Sequence, residues 1–250
     1  MKLSILLPVR NEGTNGILMI KSLNAMVDTP HEILVIYDDP SDTTIPYVKK
    51  IKRKFNNVRL IHNQKGRGVI NAIRTGIEEA RGKYITILAT DDTGPTIFVD
   101  TMVELMDQGC KLVSATRYAH GGRRLGGSPT GAIISKTANK ILNLLTKSSL
   151  SDTTTGLKMF SKETFNKLSL QAKPIGWAFI LELSLKAQQK KIKLGEVPIV
   201  AIDRVYAGKS TFKLGPWFWE YLHWFLWGIQ NIDSKKVKKP LIKVPLFHQK

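Results

Sequence analysis

Cysteine is nearly absent: Cys110 stands alone in 250 residues. No internal disulfide can form, which points to a reducing compartment. Cys110 follows Gly109 and precedes an apolar run, so it reads as a buried structural thiol rather than a nucleophile. Long apolar runs are lacking as well. The nearest candidate, Trp217 to Ile229, contains Glu220, Tyr221 and His223 and is too short to span a bilayer, so no transmembrane helix is expected. Met1 to Pro8 is apolar but is broken at once by Arg10, Asn11 and Glu12, so no signal peptide is expected. There is no repeat and no low-complexity tract. Acidic residues are scarce: 20 Asp and Glu face 38 Lys and Arg, a formal net charge of +18. Such an excess draws nucleic acid, anionic lipid or phosphorylated substrates, or simply solubilises; charge alone does not choose. No nucleic-acid module is recognisable, so nucleic acid is not an expected partner.

What is present is an ordinary core-forming share of apolar residues, 42%, arranged in alternating blocks. Leu3–Leu7, Glu32–Tyr37, Val58–His62 and Tyr84–Ala89 read as buried strands. Between them Asn15–Val27, Thr44–Phe55 and Val69–Ala80 carry helical spacing. This alternation predicts an α/β fold with a mainly parallel sheet flanked by helices, and unbroken apolar strands suit a sheet buried on both faces. Further along, Phe98–Met106, Ala132–Thr146 and Gly176–Gln189 read as helices; Lys111–Thr116, Lys158–Phe160 and Gly195–Ile202 read as strands. His120–Thr130 and Arg204–Ser210 read as basic loops, and the tail after Asp233 lacks clear periodicity.

Ligands of open α/β sheets bind beyond the carboxyl ends of the strands. Three strands here end in polar clusters, Arg10-Asn11-Glu12, Asp38-Asp39 and Thr90-Asp91-Asp92, which should meet along one rim. Carboxylates there suit a hard divalent cation, which takes one or two carboxylates together with substrate phosphates; a plain polar turn is the alternative. Gln64-Lys65-Gly66-Arg67-Gly68 opens a helix, a place that favours phosphate, but it is neither a Walker motif nor a full dinucleotide fingerprint. Arg117, Arg123, Arg124, Arg204 and Lys209 add guanidinium and ammonium groups in glycine-containing loops, suited to phosphate.

These segments together resemble a known family. SILLPVRNEG (4–13), EILVIYDDPSDTT (32–44), KGRGVINAIRTGIEEARGKYITIL (65–88), ATDDTGP (89–95), SATRYAHGG (114–122), ISKTANKIL (134–142), SDTTTGLKMF (151–160), WAFILEL (177–183) and EVPIVAIDRVYAGKS (196–210) follow one another in the order of a family-2 glycosyltransferase of the GT-A fold. Within it they are most similar to the dolichol-phosphate mannosyltransferase and polyprenyl-phosphate glycosyltransferase group. The resemblance implies a GT-A catalytic domain over 1–212, with a nucleotide-binding half at 1–95 and an acceptor half at 96–212. It implies that Pro8, Arg10 and Glu12 cradle the nucleoside, and that Tyr37 and Asp39 contact base and ribose. Lys65, Arg117, Arg204 and Lys209 would contact the donor's phosphates. Asp92, with Asp91, would ligate Mg²⁺ or Mn²⁺ on the diphosphate; Asp152 and Glu182 would lie on the acceptor side. The implied reaction is inverting transfer of a hexose from a GDP-mannose or UDP-glucose type donor to a polyprenyl or dolichyl phosphate. A soluble saccharide acceptor, or non-catalytic nucleotide-sugar binding, are the rival readings. A lipid phosphate is already ionised, whereas a sugar hydroxyl needs a general base, for which Asp152 is the candidate.

The chain departs from the family pattern in places. Thr90 stands at the first position of the D-x-D motif, and the arginine expected near Gly131 or Ala132 is missing. Four of the five tryptophans (Trp217, Trp219, Trp224 and Trp227) lie in the segment 213–233, followed by a basic tail at 234–250. Tryptophan with nearby lysine suits an amphipathic helix on an anionic membrane surface; packing on the core is the plainer alternative. The expected location is cytoplasmic and peripheral on a membrane.

Overall fold

Apolar runs become strands of one sheet, and the helices between them cover both of its faces. The computed structural model describes residues 1–126, 129–146, 148–202, 214–232 and 238–245. The elements run β1 (Leu3–Val9), α1 (Asn15–Met26), β2 (His31–Tyr37), α2 (Thr44–Ile51), β3 (Val58–His62), α3 (Val69–Glu79), β4 (Tyr84–Ile87), α4 (Val99–Asp107) and β5 (Leu112–Thr116). Then follow β6 (Arg123–Leu125), α5 (Pro129–Thr146), β7 (Lys158–Phe160), α6 (Lys162–Leu168), α7 (Ala178–Gln189), β8 (Leu194–Pro198), β9 (Val200–Ile202), α8 (Leu214–Asn231) and β10 (Leu241–Ile242).

The sheet has eight strands in the order β10-β8-β5-β7-β4-β1-β2-β3. All neighbours pair in parallel except β7, which runs antiparallel to both β4 and β5. Successive side chains of a strand face opposite ways, and this sorts the core into two layers. Leu3, Ile5 and Leu7 of β1 meet α1 and α4 on one face. Leu6, with Leu34 and Ile36 of β2, meets α3 and α7 on the other.

Most predicted elements appear within a few residues of their expected ends. Four differ. The predicted strand Gly195–Ile202 divides at Ile199: Pro198 offers no N–H to continue a ladder, and β9 leaves the main sheet to pair with β6 in a small two-stranded sheet. That β6 lies inside His120–Thr130, which reads as a loop. Helix α6 is only seven residues long, too short to show a period, and starts where Ser161 Oγ accepts from Thr164 N–H at 3.1 Å. β10 is a two-residue edge strand in the tail. The loop expected at Arg204–Ser210, with Arg204 and Lys209, lies outside the described residues. Cys110 is buried with its thiol pushed up by burial, as a structural residue should be.

Candidate active site

Because β1, β2 and β4 are parallel neighbours, their carboxyl ends share one edge. The loops leaving that edge are tied to one another by backbone donors and short polar side chains. After β1, Asn11 takes a left-handed φ of 56°. Its N–H donates to Asp42 Oδ2 at 2.9 Å, and Glu12 N–H donates to Thr44 Oγ1 at 2.9 Å. Arg10 is exposed; Pro8 and Glu12 are half-buried. After β2, Tyr37 stacks on His62 with ring centroids 5.1 Å apart. Asp39 is held below its usual carboxylate range, first by the Ser41 N–H, and pairs with Arg67 at 2.9 Å.

Asp38 organises the glycine loop after β3. It accepts from Asn63 Nδ2 at 2.7 Å and from Gly68 N–H at 3.0 Å. Gly68 has φ 124°, and a Cβ there would lie 2.9 Å from the Pro174 carbonyl, so only glycine fits. Lys65 pairs with Glu78 of α3 at 3.0 Å across an exposed surface. Past β4, Thr90 is buried, while Asp91 and Asp92 are half-buried. Asp92 Oδ1 accepts from Ile202 N–H at 3.0 Å, which fastens this loop to β9.

Asp92 and Arg117 line one cavity of about 90 Å³, closed by Pro95, Thr155 and Gly156. Arg117 is set by Asp152: Nε donates to Oδ2 at 2.7 Å and Nη2 to Oδ1 at 3.0 Å. Asp152 also accepts from Arg117 N–H, Thr154 N–H, Thr154 Oγ1 and Thr155 N–H. Burial raises its pKa, but the charge and hydrogen bonds of Arg117 outweigh this and hold it below the carboxylate range. A general base must reach a substrate proton with a free lone pair. Asp152 is fully buried and six donors converge on it, an arrangement that suits holding Arg117 and does not suit the expected role of base.

The segment carrying Asp152 hangs on buried side chains from four elements. Asn139 of α5 accepts from Thr153 N–H and Oγ1 at 2.8 and 2.7 Å. Ser184 of α7 donates to Thr153 carbonyl at 3.0 Å. Lys158 of β7 donates to Asp152 carbonyl at 3.2 Å, and Glu196 of β8 accepts from Ser151 N–H and Oγ, both at 2.8 Å. Glu182, expected on the acceptor side, is buried. It accepts from Gln171 and Ala172 N–H and pairs with Lys186 at 2.7 Å, so its role is to hold the turn before α7.

The rim thus gathers the segments of Pro8, Arg10, Glu12, Tyr37, Asp39, Asp91 and Asp92, and the Asp92 cavity adds Arg117. Sequence reasoning placed Asp38 on the rim without a role and passed over Asn63, Asn139, Lys158 and Glu196. A signal existed for the last two: each is a charge within a strand whose neighbours are apolar, and such a charge is buried with partners. Among the described residues, no three His, Cys, Asp or Glu side chains gather to hold an ion alone. Asp92 lines the cavity with Arg117 and Asp91 is its half-buried chain neighbour; one or two carboxylates that leave room for ligand phosphates are the donor set Mg²⁺ or Mn²⁺ takes, so these residues fit such an ion.

The family model "Glycosyl transferase family 2" matches residues 4–169. Dolichol-phosphate mannosyltransferase of Pyrococcus furiosus is 27% identical over 225 residues, covering 89% of this chain and 62% of that protein. Dolichyl-phosphate beta-glucosyltransferase of Saccharomyces cerevisiae is 28% identical over 222 residues, covering 79% of this chain and 66% of that protein. The chain therefore spans slightly less than two thirds of the length of these relatives. In fold it is similar to glucosyl-3-phosphoglycerate synthase of Mycobacterium tuberculosis crystallised with Mn²⁺, UDP and phosphoglyceric acid. The TM-score is 0.69 at 18% identity, covering 93% of this chain and 80% of that one.

Proposed function

The chain belongs to glycosyl transferase family 2, and from that premise we propose that it is an inverting hexosyltransferase using a nucleotide-diphosphate sugar and a polyprenyl phosphate. Pro8, Arg10, Glu12, Tyr37 and Asp39 would hold the nucleoside. Arg117 would hold the diphosphate, with Lys65, Arg204 and Lys209 as further phosphate contacts. Asp91 and Asp92 would hold Mg²⁺ or Mn²⁺, which supplies positive charge to the leaving diphosphate. The Arg117 guanidinium, fixed in advance by Asp152, offers the same help without reorganisation. The acceptor's phosphate oxygen attacks the anomeric carbon as the bond to the nucleoside diphosphate breaks, which inverts that centre. An ionised phosphate needs no base, which agrees with Asp152 being saturated by donors.

Two features support the lipid acceptor. Both relatives named above act, by name, with dolichyl phosphate. The observation that carries the reading is α5. Its inner face builds the site: Asn139 holds Thr153, and Ser135 receives the Tyr118 hydroxyl at 2.9 Å. Its outer face is apolar and open, with Ile133, Ile134, Ile141, Leu144 and Leu145 exposed, Leu144 to 78%. Helix α8 packs beside α5 and continues that surface with Phe218, Trp219 and Leu226, Trp219 being 69% exposed. Lys136 and Lys140 are also exposed on α5. Aromatic and aliphatic side chains with lysine at the edge suit an anionic lipid surface. Only part of the tryptophan segment serves this face: Trp224 is buried and donates to Glu220 at 3.0 Å. Among the described residues no helix is long and apolar enough to cross a membrane, so contact would be interfacial, at the cytoplasmic face.

GDP-mannose or UDP-glucose is expected to raise the melting temperature, and Mn²⁺ to enlarge the rise. Radiolabelled sugar should then enter a product extractable into organic solvent when polyprenyl phosphate is supplied. Transfer only into water-soluble saccharide would overturn the lipid reading. Folded protein should also sediment with phosphatidylglycerol vesicles at low salt, and Leu144→Glu with Trp219→Glu should release it. Equal sedimentation by the double variant would remove the α5–α8 face from the proposal.

A further inference from the structure

Asp152 fixes Arg117, but what fixes Asp152 is itself charged and buried. Asn139 and Ser184 show that neutral side chains suffice to pin this segment from one side. From the sheet side the pins are Lys158 and Glu196, both fully or almost fully buried. Burying an ionisable group is costly unless hydrogen bonds and an opposite charge meet it. Lys158 Nζ donates to Ser114 Oγ at 2.6 Å and to Asp152 carbonyl at 3.2 Å. Glu196 grips Ser151 on both N–H and Oγ, and Ser151 precedes Asp152. The other face of Glu196 meets His120 Nε2 at 3.8 Å, three residues beyond Arg117. Thus Asp152, through Ser151, and the loop 117–120, through His120, both meet the Glu196 carboxylate.

We propose that Glu196 is a positioning residue for Arg117, holding through Ser151 the carboxylate that orients the guanidinium and tying that orientation to its own charge. This rests on reading Arg117 as the diphosphate contact. Burial pushes Glu196 up to about 7, against the hydrogen bonds of Ser151 and the charge of Lys158. Burial likewise pushes Lys158 down to about 8, against Asp152 and Glu196. The charged or titratable groups set against Glu196 are Lys158 of β7, His120 of the loop after β5, and Asp152 through its backbone N–H. β5 contributes neutral Ser114 and Thr116. Lys243, beside β10, offers its N–H to the Glu196 carbonyl and sends its ammonium to Glu104 of α4. Burial thus favours the neutral carboxyl of Glu196, and Ser151 links that group to Asp152 and through it to Arg117.

The test is ligand-free. The Nε–H resonance of Arg117, identified by its loss in Arg117→Lys, should shift through a transition with its midpoint near neutral pH. Glu196→Gln keeps an acceptor oxygen for Ser151 and should abolish that transition while leaving the fold. His120→Asn should keep it. Glu196→Ala should speed solvent exchange of the Nε–H by about tenfold, the effect of losing one hydrogen bond. A wild-type resonance with no transition, a transition that survives Glu196→Gln, one that vanishes with His120→Asn alone, or unchanged exchange in a folded Glu196→Ala would each overturn the proposal. If Glu196→Ala does not fold, the Gln variant decides. Failure of UDP and GDP to bind would count against the proposed function and leave this readout standing.

Discussion

Asp92→Asn is expected to lower sugar transfer by about 10³-fold, roughly the 4 kcal/mol that a metal and its carboxylate contribute to a developing phosphate charge. The substitution separates two duties of one side chain. Asp92 Oδ1 accepts from Ile202 N–H, and an asparagine oxygen does so equally well. The melting temperature should therefore move little. What disappears is the negative charge beside the Arg117 cavity. Steady-state transfer from GDP-mannose or UDP-glucose, with Mn²⁺ titrated, measures the loss. Turnover within tenfold of wild type would remove Asp92 from the metal and catalytic roles. Asp91→Asn should cost less, since Asp91 does not line the cavity.

Asp152→Asn is expected to destabilise the fold by about 3–5 kcal/mol, the usual result of removing one member of a buried ion pair. The cost comes from what remains: Arg117 with its Nε and Nη2 facing an amide, and three N–H donors of 117, 154 and 155 on a weaker acceptor. The pH dependence has a defined sign. The folded pKa of Asp152 lies below its ordinary 3.8. The ionised carboxylate binds fewer protons in the folded state, so its stabilisation is present above the ordinary value and is lost as pH falls through the folded one. Urea unfolding at neutral and acidic pH should show wild type losing stability toward acid more steeply than Asp152→Asn. Equal acid slopes would contradict the buried pairing. Adding Arg117→Met to Asp152→Asn should recover part of the loss, because the uncompensated charge goes with it.

Residues 1–95 were the more legible part of the chain because their strands are short, mainly apolar runs ended by turns. Parallel pairing alone then carries Asp38, Asp39, Asp91 and Asp92 to one edge, so the rim follows from local pattern. The other half depends on long-range contacts. Nothing near Lys158 in sequence reveals that it will meet Ser114 of β5, and nothing near Pro198 reveals that Ile202 will bond Asp92 from another sheet. Asp152 looked like a base for a related reason. A carboxylate's chemistry depends on how many donors surround it, and those donors come from residues 117, 154 and 155 only after folding. The partners of Glu182, at 171, 172 and 186, likewise are set by the fold. The tryptophan segment divided between exposed Trp219 and buried Trp224, a distinction that helical spacing alone does not assign.

The antiparallel strand β7 has a consequence for how the molecule comes apart. It belongs to the later half of the chain, yet it lies between β4 of the earlier half and β5. A fragment ending near residue 95 would leave β4 with one bare edge, open to pairing with other chains. The earlier half is thus a unit of sequence pattern and not of folding. Neither half completes its sheet without the other, and the protein should melt as one cooperative body.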